Sequence, residues 1–355
     1  METTKIIRHG IEVVLLEFVP DWYLIHEQAN KALVELRKGI KTWVSLEVYQ
    51  KMHISLWIYD NLTEINAFCY SKNNQNYIAL STGLLFAIFN TVEEFIDQER
   101  FSLVFKLGED KKVDIMEALA LTMLNFTVAH EFGHIAHGHL RNESFEGCFD
   151  EMLYISGGED DRTTNWNTQL KEYDADSVAM AIQSLLLLQA WDKDADANAA
   201  SVDVLFIAHY LSFRIFAKKT GRAFDLYMQK EIDEFDHPHP GIRMFYSVLL
   251  CSYWVDRIKG YTEDVLHALS SGMHAVIAYE RMVLEKQEIK ECYFSVAFTE
   301  KGCQHIMNLN NCWQDLVDQY GKYAYIPIEK LDNIESLPVC INEDGTIYTT
   351  GRKES

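Results

Sequence analysis

The chain has 355 residues and a mass of 41.1 kDa, with hydrophobic residues at 48%, enough to bury a substantial core as one large domain or two. Lysine and arginine number 32 against 53 aspartates and glutamates, a formal charge of −21, and like-charge repulsion makes nucleic acid and anionic membranes poor partners. Seven cysteines without a C-x-x-C pair fit reduced thiols rather than a disulfide framework, and with no leader pattern and no apolar run of spanning length the expectation is a cytoplasmic protein without membrane segments.

Only five prolines interrupt the chain, and helical periodicity covers most of residues 115–285, so the expected class is α+β, predominantly helical, with a small sheet. There is no Ser/Gly-rich linker, low-complexity tract or internal repeat. Residues 53–60 and 76–81 are extended, apolar and rich in β-branched and aromatic side chains, and read as strands of that sheet. Asn66-Ala67-Phe68 lies between them, and Thr82-Gly83-Leu84-Leu85 follows the second. Residues 91–114 carry no assignable role.

Residues 114–140 read as one long helix. Ile115, Ala118, Leu119, Thr122, Met123, Phe126 and Ala129 recur at steps of three and four, which carries the following segment into the interior. That segment is His130-Glu131-Phe132-Gly133-His134, H-E-x-x-H. Positions i and i+4 of a helix are rotated by only about 40° and separated by about 6 Å, so both imidazoles can reach one ion. Two neutral imidazoles, a third protein ligand and a water make the open tetrahedral site of catalytic zinc, and Glu131 stands where it can take the proton of that water. The pentapeptide also arises by accident on polar helices; against that, two buried histidines and a carboxylate without a shared partner would be costly.

The third ligand does not follow the H-E-x-x-H-x-x-G-x-x-H pattern, because His137 stands at the glycine position and Leu140 at the last histidine. His137 and His139 read as solvated residues near the helix end. Residues 169–191 form a second helix, on which Glu172 and Asp176 face the same way one turn apart. Glu172 is the expected ligand, and Asp176 accepts the other N–H of a ligand histidine; a solvated acidic helix start is the competing reading. Asp174 points elsewhere and reads as surface. Residues 145–167, acidic and rich in Asn and Thr, join the two helices as a solvated connection or a lid.

A loop over residues 235–243 separates a helix ending near residue 233 from another over residues 240–258, with Pro240 suited to a first turn. His237 can cap a helix there, and Arg243 can pair with Glu172 or Asp176. Residues 292–355 mix an apolar aromatic stretch, a helix over residues 306–320 and a hairpin near residues 343–345. The organisation expected is a main domain over residues 1–290 and a small accessory C-terminal region over residues 291–355.

H-E-F-G-H followed by E-Y-D-A-D resembles the paired motifs of gluzincin zinc metallopeptidases, the group that includes HtpX and the CAAX prenyl protease. The N-A-F and T-G-L-L stretches and the H-P-x-x-x-x-R spelling at His237, Pro238 and Arg243 fit the same group, spanning about residues 54–245. The resemblance implies a zincin-type active-site helix, one Zn2+ ion held by His130, His134 and Glu172, Glu131 as general base, and a protein or peptide substrate. It further implies that His237 and Arg243 stabilise an oxyanion, and that an edge strand around Asn66, Ala67, Phe68, Ile78 and Ala79 pairs with substrate backbone; an ordinary core hairpin is the alternative. The named members are membrane enzymes. Without a span, and with its H-P-x-P-x-x-R spelling, the chain also resembles the soluble Lit-like phage-exclusion peptidases. A zinc-stabilised binding or sensor module without turnover is the reading from a different class, against which an intact Glu131 argues.

Overall fold

The computed structural model describes residues 3–8, 10–98, 111–141, 148–150, 162–191, 195–219, 237–260, 263–282, 284–285, 293–328, 339–341 and 347–349. The fold is α+β and predominantly helical. Strands β1 (Thr3–Arg8), β2 (Ile11–Leu16), β3 (Ile54–Tyr59), β4 (Ala67–Lys72), β5 (Gln75–Ser81) and β6 (Cys148–Asp150) form one mixed sheet in the order β1-β2-β3-β5-β4-β6. β3 and β5 run parallel, with Leu56 opposite Ile78, and the other pairs are antiparallel. Asn73 and Asn74 take positive φ, 51° and 61°, the paired left-handed conformation that lets two residues close the β4–β5 hairpin with the right twist.

That order corrects the edge-strand expectation. β5 lies between β3 and β4, so the backbone of Ile78 and Ala79 is paired on both sides, and β4 is covered from Phe68 to Tyr70 by β6. Asn66, Ala67, Phe68, Ile78 and Ala79 are all fully buried. These positions belong to a core hairpin; strand order depends on where β6 returns, which no local pattern encodes.

The helices are α1 (His26–Ile40), α2 (Leu46–Met52), α3 (Thr82–Ile96), α4 (Lys112–Ala136), α5 (Arg162–Trp191), α6 (Ala195–Lys219), α7 (Pro240–Lys259), α8 (Glu263–Met282), α9 (Glu300–Asn311) and α10 (Trp313–Tyr320), with a 3-10 turn at Tyr293–Phe298 before α9. Strands β7 (Val339–Ile341) and β8 (Ile347–Thr349) pair antiparallel; the turn expected between them lies outside the described residues, as do residues 99–110 of the 91–114 stretch, whose ends belong to α3 and α4, and most of residues 145–167. The helix expected over residues 306–320 is two helices, parted at Cys312.

Two features seat the site. Ser81 caps α3, its hydroxyl accepting from Leu84 N at 2.9 Å, and the backbone of residues 61–64 crosses so close to Gly83 that a Cβ there would lie 2.3 Å from Glu64 O; the T-G-L-L element needs its glycine for this approach. α4 is buried at every residue from Phe126 to Ala136, as befits a helix enclosed on all sides. It packs on α5 at Gly133, where a Cβ would stand 3.0 Å from Ala175 Cα. The C-terminal helices join the same core, with Trp313 edge-on to Tyr173 of α5 at 5.3 Å, and Tyr325 N donates to Ala136 O at the end of α4.

Candidate metal centre

The close crossing of α4 and α5 brings His130, His134 and Glu172 together, with one ligand atom from each lying within 4.8 Å of the others. His130 Nε2 stands 3.1 Å from His134 Nε2 and 3.3 Å from Glu172 Oε2, and His134 Nε2 is 3.5 Å from Glu172 Oε1. Atoms held tetrahedrally at about 2.0–2.1 Å from one ion stand about 3.3–3.4 Å apart. The imidazole separation is near that spacing, and the Glu172 carboxylate straddles the pair, Oε2 toward His130 and Oε1 toward His134; two imidazole nitrogens with a carboxylate oxygen are a donor set suited to a borderline-soft divalent ion. The group could hold a metal ion, and among the described residues it is the one such cluster.

Burial makes the arrangement costly without a cation. His130, Glu131 and Glu172 are 0% exposed and His134 1%. Neither oxygen of Glu172 accepts a hydrogen bond from the described residues; His237 Nε2 stands 3.5 Å and Arg243 Nη2 3.8 Å from the carboxylate. Burial alone would raise the Glu172 carboxyl, but His237 and His130 outweigh it and hold the group well below the usual carboxylate range. Asp176 is likewise held low against burial, chiefly by Arg243 and His130. Two buried carboxylates thus face one guanidinium, and either a proton on His130 or a cation among the ligand atoms balances the charge.

The two imidazoles differ for a local reason. His130 Nδ1 meets Asp176 Oδ1 at 2.7 Å, and Asp176 with Glu172 overcomes burial to raise His130 well above the ordinary histidine value. His134 Nδ1 meets another imidazole, His139 Nδ1, at 2.8 Å; burial dominates there, with Glu172 opposing, and lowers His134 to about 3.

Asp176 is fixed from three further directions. Arg243 Nε reaches Oδ2 at 2.9 Å and Nη2 reaches Oδ1 at 2.8 Å, a bidentate pair, and Tyr246 Oη donates to Oδ2 at 2.5 Å. Arg243 is therefore the ion-pair partner of Asp176 and also stacks over Phe213 at 5.0 Å. Tyr246 escaped the sequence reading, although it follows Arg243 by three residues and shares its helix face. His239 caps α7, its Nδ1 accepting from Gly241 N at 2.9 Å, with Pro240 in the first turn; His237, two residues earlier, faces Glu172. His209 of α6 was also missed; its ring lies 4.6 Å from that of Phe126, and burial, opposed by Asp176, lowers it to about 3.

The sequence reading of His137, His139 and Asp174 as solvated is corrected: all three are buried. α4 stops at Ala136 rather than at residue 140, because Gly138 takes φ of 77°. Gly138 N bonds Ile135 O at 3.1 Å and His139 N bonds His134 O at 3.0 Å, the Schellman pattern of a glycine-terminated helix. The turn folds His139 back beside His134. His137 Nδ1 then meets Asp174 Oδ2 at 2.5 Å, and His139 Nε2 stands 3.1 Å from the same oxygen, a close approach without hydrogen-bond alignment. The glycine between two histidines was a legible stop signal.

Fold and site together define a predominantly helical α+β protein with a buried His-His-Glu cluster able to hold a metal. Comparisons with family models, curated proteins and solved structures return no match. No helix among the described residues is long and apolar enough to cross a membrane.

Proposed function

We propose that the chain is a zinc-dependent endopeptidase acting on protein substrates. The observation that supports this reading is the convergence of His130 Nε2, His134 Nε2 and the Glu172 carboxylate, one ligand atom of each within 4.8 Å of the others, with Glu131 buried one residue along from His130. Metal retention needs no acid at that position, whereas hydrolysis needs a base beside the attacking water. When bound, zinc polarises the scissile carbonyl and acidifies the attacking water.

The protein's own groups do the rest. A Glu131 carboxylate oxygen takes the water's proton as the C–O bond forms, then delivers it to the amine nitrogen as the C–N bond breaks. Asp176 keeps the His130 proton on Nδ1 so that Nε2 presents its lone pair to the ion. Arg243, with Nε and Nη2 on Asp176, acts here through that carboxylate, and in this proposal His237, 3.5 Å from Glu172, donates to the developing oxyanion.

A second reading, a zinc-stabilised module without turnover, draws on the near-complete burial of His130, Glu131, His134 and Glu172. Glu131→Gln separates the two: zinc content equal to the parent with loss of peptide-library cleavage supports the peptidase, and cleavage at the parent rate removes Glu131 as base. A parent that holds zinc and cleaves nothing favours the module. A narrower proposal, by resemblance to phage-exclusion peptidases, is cleavage of an intracellular protein during infection. New protein termini in infected cells making the parent but not the Glu131→Gln form support it, and their absence removes it.

A further inference from the structure

Four buried polar side chains, His134, His139, Asp174 and His137, form a chain that runs away from the ligand cluster toward the turn after α4. Its informative contact is the 2.8 Å approach of two like atoms, Nδ1 of His134 and Nδ1 of His139. One must carry a proton and the other a lone pair. The choice is set at the far side of His134, whose Nε2 sits among the ligand atoms, 3.1 Å from His130 Nε2 and 3.5 Å from Glu172 Oε1. A ligating nitrogen is unprotonated, so the His134 proton is on Nδ1, and His139 Nδ1 must accept it. The His139 proton is then on Nε2, the atom that faces Asp174 Oδ2 at 3.1 Å, and that oxygen also takes the Nδ1 proton of His137 at 2.5 Å.

We propose that His139 is a positioning residue for the metal centre: it accepts the Nδ1 proton of His134, and the Asp174 carboxylate 3.1 Å from its Nε2 favours the tautomer that can do so. The inference rests on the reading of His134 as a metal ligand. It gives both ligand imidazoles the same support. Asp176 serves His130 directly, at 2.7 Å. Asp174, two residues earlier and so about 200° round the helix, serves His134 through an interposed ring that the glycine-terminated turn folds into place. An imidazole whose outer nitrogen is fixed in this way keeps its ligating lone pair aimed at the ion, and loss of such a partner typically weakens metal binding about 10–100-fold.

The test uses the full chain loaded with one equivalent of zinc. Long-range nitrogen–proton NMR of 15N-histidine-labelled parent should find His134 protonated on Nδ1 and His139 on Nε2; His139 protonated on Nδ1 overturns the proposal. Zinc affinity by chelator competition should fall about 10–100-fold in His139→Leu and stay within about threefold of the parent in His139→Asn, whose Oδ1 can take the acceptor position. Parent-like affinity in folded His139→Leu, or an equal loss in both variants, also overturns it. The parent NMR result decides the matter should His139→Leu fail to fold. A parent that binds no zinc overturns this inference and the metal reading together, whereas zinc binding indifferent to His139 overturns this one alone.

Discussion

Gly133 is the contact on which the metal cluster depends most sharply, because it sets the distance between the helix carrying two imidazoles and the helix carrying Glu172. In Gly133→Ala the new Cβ stands 3.0 Å from Ala175 Cα and 3.1 Å from both Ala175 O and Val178 Cβ. Carbon contacts settle at about 3.5–4.0 Å, so α4 and α5 must part by roughly 0.5 Å, while metal–ligand distances tolerate only about 0.2 Å. Overpacking costs about 1–3 kcal/mol, and the better helix propensity of alanine returns about 0.8–1 kcal/mol. The variant should therefore fold with a net loss near about 0–2 kcal/mol. Drawing the ligands back together across the widened gap takes about 1–2 kcal/mol more, a zinc affinity lower by about 5–30-fold. Chelator competition measures the affinity, and urea unfolding without added zinc measures the fold. Gly39→Ala on α1, where the nearest atom to a new Cβ is Trp43 Nε1 at 3.7 Å, is the control and should leave zinc binding unchanged. Parent-like affinity in folded Gly133→Ala refutes the reasoning.

The same geometry sets three further outcomes. Asp176→Asn leaves the buried Arg243 without its bidentate carboxylate and should destabilise the fold by about 3–5 kcal/mol; thermal unfolding equal to the parent would contradict it. His239 is a buried base lowered by burial to about 4, so the unfolded chain takes a proton below about pH 6.5 while the folded one waits until about pH 4. Stability attributable to His239 is thus intact above about pH 6.5 and falls by about 1.4 kcal/mol per pH unit through that window. His239→Asn, which retains a cap acceptor, should flatten the slope, and His239→Ala should lose about 1 kcal/mol even at neutral pH; urea unfolding against pH reads both, and identical slopes in parent and His239→Asn would sink the assignment. Zinc at 100 times its Kd should raise the unfolding free energy by about 2.7 kcal/mol, reversibly with a chelator, and a melting curve indifferent to both reagents would count against the site.

The part of the site that was legible in the sequence is the part written at helical spacing. His130, Glu131 and His134 lie on one turn, and Glu172 and Asp176 on another, so their faces follow from the 3.6-residue period. The pairing of the two turns depended only on whether α4 and α5 touch. What the sequence hid were properties of assembly. Asp174 looks like surface on its own helix and is buried because α4 ends in a turn that brings His137 and His139 over it. Ile78 and Ala79 look able to sit at an edge and do not, because β5 lies between β3 and β4, and Phe68 of β4 is covered in turn by β6. Arg243 fitted either an oxyanion contact or an ion pair until the position of Asp176 gave it a partner.

Metal stoichiometry is the most direct test of the central claim. Dialysed against buffered zinc and washed, the parent and Glu131→Gln should each retain one ion per chain, and His134→Ala and Glu172→Ala should retain none while keeping their helical circular dichroism. A folded parent that retains no ion, or a Glu172→Ala form that binds as tightly as the parent, would contradict the account.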